Sequence, residues 1–245
     1  NTPINTGISL VGGKSFRFKD DSKLSFFLTG SFGNNYLYRD GSAIDFTNTF
    51  NKTFSSAEEF EYNTTSTLMG SLVYKLNPNT KFKFNSIFVN SSANEVGYYG
   101  RDGKGTNRDA IQNTDEGFFV LNSQFNQDLI LVNQLLGEHK IGDKTTLDWG
   151  VGFNSVYSHE PDRKRISIEN YQFALDNDAS TNPVFFTNNR FDNQRYFQKI
   201  EDDEYNGRLN LSFEANEKLK FNIGYNGRNK KRLFNNIRYG YDIVD

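Results

Sequence analysis

Cysteine is absent from the chain, which excludes disulfides, thiolate metal sites and cysteine nucleophiles together. Histidine is nearly absent: His139 and His159 are the two, and nothing in their spacing points to a shared carboxylate, so neither a zinc site nor a catalytic dyad is indicated. No run of about 18 apolar residues occurs, which excludes a spanning helix but not a spanning barrel, whose strands need only alternate. Charge of one sign is lacking too. Against 30 Asp and Glu stand 28 Lys and Arg, a net charge of -2, which offers nucleic acid no basic surface. The opening residues Asn1-Thr2-Pro3-Ile4-Asn5 have neither the basic flank nor the apolar stretch of a secretory signal, so the chain reads as mature or as lacking its beginning. The four prolines, Pro3, Pro78, Pro161 and Pro183, are expected outside strand interiors, because proline cannot donate to a ladder.

What the chain does have is aromatic side chains, 24 Phe and 13 Tyr, within a mean hydropathy of -0.70. The apolar mass is therefore concentrated, and its distribution follows a period of two. Leu147, Trp149, Val151, Phe153 and Tyr157 alternate with Asp148, Gly150, Gly152, Asn154 and Ser158, the pattern of a sheet with one apolar and one polar surface. The same alternation predicts eight strands, at 7–18, 23–34, 65–77, 81–92, 118–140, 145–158, 204–213 and 219–230. Tight turns at 19–22, 78–80, 141–144 and 214–218 join them in pairs. Between the pairs lie three long polar connections, 35–64, 93–117 and 159–203, far beyond the usual length of about 4–6 residues.

Short turns at one end and long connections at the other fit a transmembrane barrel with periplasmic turns and extracellular loops. Lysines and arginines on the polar face would cost about 2–4 kcal/mol each at the midplane of a bilayer, so that face must line water or protein. Phe16, Phe18, Phe82, Phe84, Phe213 and Phe221 gather near the turns, and Tyr36, Tyr38, Tyr98, Tyr99 and Tyr157 near the long connections, as two interfacial girdles would. A soluble β-sandwich is the competing fold. With turns below, both ends of the chain fall on the outer side, which leads to the expectation of an interior arc of a larger barrel.

The stretches Gly12-Gly13-Lys14-Ser15-Phe16, Phe26-Phe27-Leu28-Thr29-Gly30-Ser31-Phe32-Gly33-Asn34, Asn133-Gln134-Leu135-Leu136-Gly137-Glu138-His139-Lys140 and Leu147-Asp148-Trp149-Gly150-Val151-Gly152-Phe153, the last followed by Pro161-Asp162-Arg163, resemble barrel strands of TonB-dependent receptors of the Bacteroidetes type. The resemblance covers nearly the whole chain and only the middle of such a protein. It implies that residues 1–245 are part of a 22-stranded antiparallel barrel in the outer membrane of a Gram-negative bacterium, with the plug and remaining strands elsewhere. It further implies a non-enzymatic transporter for a scarce nutrient such as a siderophore, glycan or peptide, without a cofactor. Its partners would be outer-membrane lipid, the TonB system acting through the plug, and a surface lipoprotein. A barrel scaffold within a larger envelope complex, without transport, is the alternative; an outer-membrane enzyme would require a nucleophile and base at the rim.

Recognition is expected in the connections, where a rigid scaffold presents variable segments. Tyr98, Tyr99, Arg101 and Asp102 join aromatics, a planar cation and turn glycines in a mixture suited to a sugar, peptide or chelate. His159-Glu160-Pro161-Asp162-Arg163-Lys164-Arg165 concentrates charge just beyond a strand end and offers Asp162 and Arg163 as a second pair, with the competing reading that they brace the rim against neighbouring strands. Gly12-Gly13-Lys14-Ser15 resembles the end of a phosphate loop, but it lies in a strand pattern. Glu201-Asp202-Asp203-Glu204 offers carboxylates to calcium, or is a solvated acidic loop end. Asn51-Lys52-Thr53 and Asn63-Thr64-Thr65 match the short glycosylation pattern.

Overall fold

The computed structural model describes residues 4–46, 50–109, 113–188 and 191–241. The strands are β1 (Thr6–Arg17), β2 (Lys23–Phe46), β3 (Phe50–Asn77), β4 (Thr80–Tyr99), β5 (Thr106–Asp109), β6 (Asn113–Thr114), β7 (Phe119–Ile141), β8 (Thr145–Glu169), β9 (Val184–Phe185), β10 (Gln194–Asn216) and β11 (Leu219–Gly240). Eight long ones make a single antiparallel sheet in the order β1-β2-β3-β4-β7-β8-β10-β11, and the short β5, β6 and β9 attach through β3 and β8. The chain is all-β, and the sheet is open: β1 and β11 each pair on one side only.

The four tight turns stand where the sequence puts them. In the first, Asp21 takes a φ of 61°, and the Asp20 carboxylate accepts bonds from the Ser22 amide at 3.2 Å and hydroxyl at 2.7 Å, a local closure open to aspartate.

At the other end the three long connections prove to be largely strand. The β2–β3 ladder runs on from Asn34 opposite Thr64 to Phe46 opposite Asn51, with a register shift between Gly41 and Ala43. β8 takes in residues up to Glu169, and β10 begins at Gln194. Backbone pairing needs no apolar face, and cross-strand side-chain pairs sustain it here. Tyr36 meets Tyr62 at 4.2 Å between ring centroids, and Arg39 reaches Glu59 at 3.2 Å and Glu61 at 3.4 Å.

Two further expectations change with this. Pro161 lies inside β8, not outside a strand. It falls where β8 has one residue more than its neighbours: Gln198 pairs Glu160 and Tyr196 pairs Arg163, with two residues of β8 opposite one of β10. A bulge interrupts the ladder and tolerates a missing donor. Residues 201–204 are likewise strand, so successive acids point to opposite sides. Asp202 meets Lys230 at 3.1 Å and Arg232 at 2.5 Å, while Asp203 accepts from Ser155 on the other side at 2.7 Å. Pro78 and Pro183 lie outside strands, and Pro3 falls outside the described residues.

The sheet has two unlike sides along its proximal half, toward the tight turns. Phe26, Leu72, Phe84, Leu135 and Val151 stand in one row by register, and Lys23, Lys75, Lys81, Glu138, Asp148 and Asn210 in a row on the reverse. Among the described residues no second layer covers the apolar side: Leu28, Leu68, Val151 and Leu209, all on interior strands, are 52%, 51%, 52% and 50% exposed. Near the turns Trp149 lies across Gly137, where a Cβ would come within 2.3 Å of the indole. The indole N–H donates to His139 Nε2 at 2.9 Å, and Phe82 meets both rings edge-on. Glycine is required there for the ring to cover the backbone.

Among the described residues the buried apolar cluster is a small core at the distal end. Phe54, Phe118, Val120 and Phe186 are buried together, with Ala43 and Tyr99 against them. Phe118 is fully buried and meets Phe186 at 5.1 Å and Phe54 at 6.1 Å. The segments after β4 and β8 thus fold back over the polar side, tied by Phe118 N–H to Gly105 O at 2.7 Å and Phe186 N–H to Ser167 O at 2.9 Å.

Candidate functional site

Below that core, on the polar side of the distal half, lies a cavity of about 510 Å³. Its polar lining includes alternate residues of successive strands: Arg39 of β2, Glu59 and Glu61 of β3, Glu95 and Tyr99 of β4, Asn122 and Gln124 of β7, Arg163 and Arg165 of β8, and Gln194 of β10. Register explains the convergence. Glu95 pairs with Glu61 on one side and Gln124 on the other, and Asn122 pairs with Arg165, which in turn pairs with Gln194. Paired residues share a face.

Tyr99 is the hub of this cavity. Its hydroxyl donates to Glu59 Oε1 at 2.7 Å, and its ring leans on Phe54 at 5.6 Å. Burial foremost, then the Glu59 carboxylate it serves, push the phenol up to about 12; the charge of Glu95 acts in the same direction and that of Arg165 against it. Tyr99 therefore lies within the fields of both. Arg39 is held by Glu59 and Glu61, and Arg163 by Glu160 at 3.5 Å and by the Tyr196 ring at 4.4 Å. Glu95 and Arg165 have no hydrogen-bond or ion-pair partner among the described residues, and Arg165 Nε is buried without one.

Of the six residues singled out from sequence, the structure brings Tyr99 and Arg163 to this cavity. Tyr98, one residue from Tyr99, faces the opposite side, since neighbours in a strand alternate. There the Arg101 guanidinium lies 5.1 Å from the Tyr98 ring centroid and 3.1 Å from Glu58. Asp102 closes the turn, accepting from Ser55 Oγ at 2.6 Å and the Lys104 amide at 3.2 Å. Asp162, also on the far side from Arg163, receives both arms of Arg195 at 2.8 Å and meets Lys164 at 3.0 Å. The Arg195 fork holds its carboxyl below the ordinary carboxylate range, against the opposing pull of burial. Asp162 and Arg163 thus both engage β10, which favours bracing for the pair.

Arg165 closes the charged stretch noted from sequence, whereas Glu59, Glu61, Glu95, Asn122 and Gln124 were not singled out. Their only sequence signal is spacing by two within polar stretches, and it gains meaning once the register is known. Elsewhere, Gly12 to Ser15 lie within β1, and among the described residues no group of three His, Cys, Asp or Glu is arranged to hold a metal. No protein-family model matches this sequence, and a search of curated proteins finds no significant match.

Proposed function

We propose that this chain is part of the wall of an outer-membrane barrel of the TonB-dependent receptor kind, which takes up a scarce nutrient through its polar interior. The observation that carries the reading is the uncovered apolar side, confined to the proximal half. On β2 it runs from Leu24 to Phe32, nine residues, against the roughly 9–11 that a strand needs to cross a bilayer. A contiguous apolar surface of this kind calls for lipid or a partner.

Its upper limit supports the same reading. By register Phe32 is level with Glu201 on β10, yet the apolar run of β10 stops at Tyr205. Strands of a closed barrel tilt by about 35–45°, so a level membrane surface must cross the register rows. Beyond this band the same side becomes mixed, with Tyr36, Tyr38, Phe60 and Tyr62 standing among Asn34, Asp40 and Glu58, and strands such as the 28-residue β3 project well past any bilayer. The cavity lined by charged residues on the polar side favours a receptor over an inert scaffold. Energy from TonB, relayed by a plug, and a surface lipoprotein partner belong to this proposal.

The test is electrophoretic migration of the envelope protein with and without heating, together with its partition into detergent. Heat-modifiable migration and detergent dependence are expected. A detergent-free soluble monomer would overturn the reading.

A further inference from the structure

We infer that the cavity around Tyr99 binds a short peptide by its two free ends. This deepens the receptor reading by naming a ligand class, and it rests on that reading only in taking the polar side to face water.

Two observations carry it. First, the cavity contains one carboxylate and one guanidinium left unpaired, Glu95 and Arg165, although Arg39 and Arg163 on the same wall have found carboxylates. A buried, unpaired donor such as Arg165 Nε is costly unless something completes it. An anion alone would satisfy Arg165 and face Glu95 and Glu59 unfavourably; a cation alone would do the reverse. A ligand carrying both charges satisfies both.

Second, the register sets the distance between the two. Glu95 lies opposite Gln124 and Arg165 opposite Asn122, so they flank β7 on a diagonal. Two strand spacings of about 4.8 Å and one same-face step of about 6.8 Å put their Cα atoms about 12 Å apart. Side chains on a sheet stand roughly upright, which keeps these two heads from simply pairing with each other. A single amino acid, about 3.5 Å long, is too short to reach both, whereas three extended residues span about 10 Å. The C-terminal carboxylate would take the Arg165 fork and the N-terminal ammonium Glu95. Asn122, Gln124, Gln194 and the Tyr99 hydroxyl, along the same wall, supply the partners that peptide amides require. The volume lies within the roughly 300–1,000 Å³ of small-molecule sites.

The experiment is titration calorimetry of the detergent-solubilised full chain with trialanine, N-acetyl-trialanine, trialanine amide and alanine. Trialanine is expected to bind, with each cap weakening it by about tenfold and alanine weaker still. Arg165→Gln should weaken trialanine by a similar factor and abolish the difference between acid and amide; Glu95→Gln should do the same for the amine and its acetylated form. Should Arg165→Gln fail to fold, Glu95→Gln is tested alone. Equal binding of capped and free peptides, preference for a neutral oligosaccharide, or no trialanine binding overturns the inference. Binding by a chain that needs no detergent sinks the membrane reading alone, and heat-modifiable migration without binding sinks this inference alone.

Discussion

The proximal and distal halves of the sheet share the same strands and the same ladder, yet they are held in different ways. In the proximal half the two sides are chemically opposite, and side chains such as Leu28 and Val151 remain half exposed; their stabilisation is left to whatever surrounds the sheet. In the distal half each side mixes polar and apolar residues, and order comes from within, through the buried Phe54, Phe118, Val120 and Phe186 and through cross-strand pairs. A β-ladder specifies strand order and spacing but not the medium. The medium is set by which residues occupy alternate positions.

The largest expected effect that separates the halves comes from Phe118→Ala. Removing a fully buried ring should cost about 3–5 kcal/mol, and because the core is local the loss should stay local. Amide exchange is expected to rise across residues 100–109, 113–118 and 171–186 while β2, β4 and β8 near the tight turns keep their protection. Equal acceleration in both halves would show that they do not differ in this way.

Next in size is a pair of substitutions on one strand. Leu28→Arg, at the middle of the apolar run, is expected to cost about 2–4 kcal/mol in lipid, and Thr29→Arg, facing the polar side, close to nothing. Denaturant titration of the protein reconstituted in bilayers measures both. Similar losses would remove the distinction between the sides.

Smallest is the rim brace. The Asp162 carboxyl is lowered chiefly by Arg195, so its contribution to stability is present above its unfolded value of about 3.9 and is lost as pH falls through the lowered folded value. Arg195→Gln should return the carboxyl toward 3.9 and move the acid limb of stability to higher pH, with a small loss at neutral pH. Carbon NMR of the Asp162 carboxyl follows this directly.

The proximal half was legible because a period of two with opposite chemistries can be seen in Leu147 to Ser158 without any partner. The strand continuations were not. From Asn35 to Arg39, or Asn94 to Tyr98, tyrosines and a single valine carry one side between polar residues, and the hydrophobic signal weakens although the hydrogen bonding does not. The cavity was illegible for a further reason. Tyr98 to Asp102 and Asp162 to Arg163 drew notice as contiguous groups, but a sheet disperses contiguous residues to opposite sides. It gathers instead Glu59, Glu95, Gln124 and Arg165, which are far apart in sequence. Only the pairing of strands shows that they meet.

The extra residue in β8 at Pro161 acts as a frameshift in space. Up to His159 the odd-numbered side chains of this strand share the side of Trp149 and Val151; past the bulge, Arg163 and Arg165 are odd-numbered and stand on the other. One strand can thereby place side chains of the same numerical phase on opposite sides of the sheet along its length. The two arginines owe their place in the cavity to that single break in count.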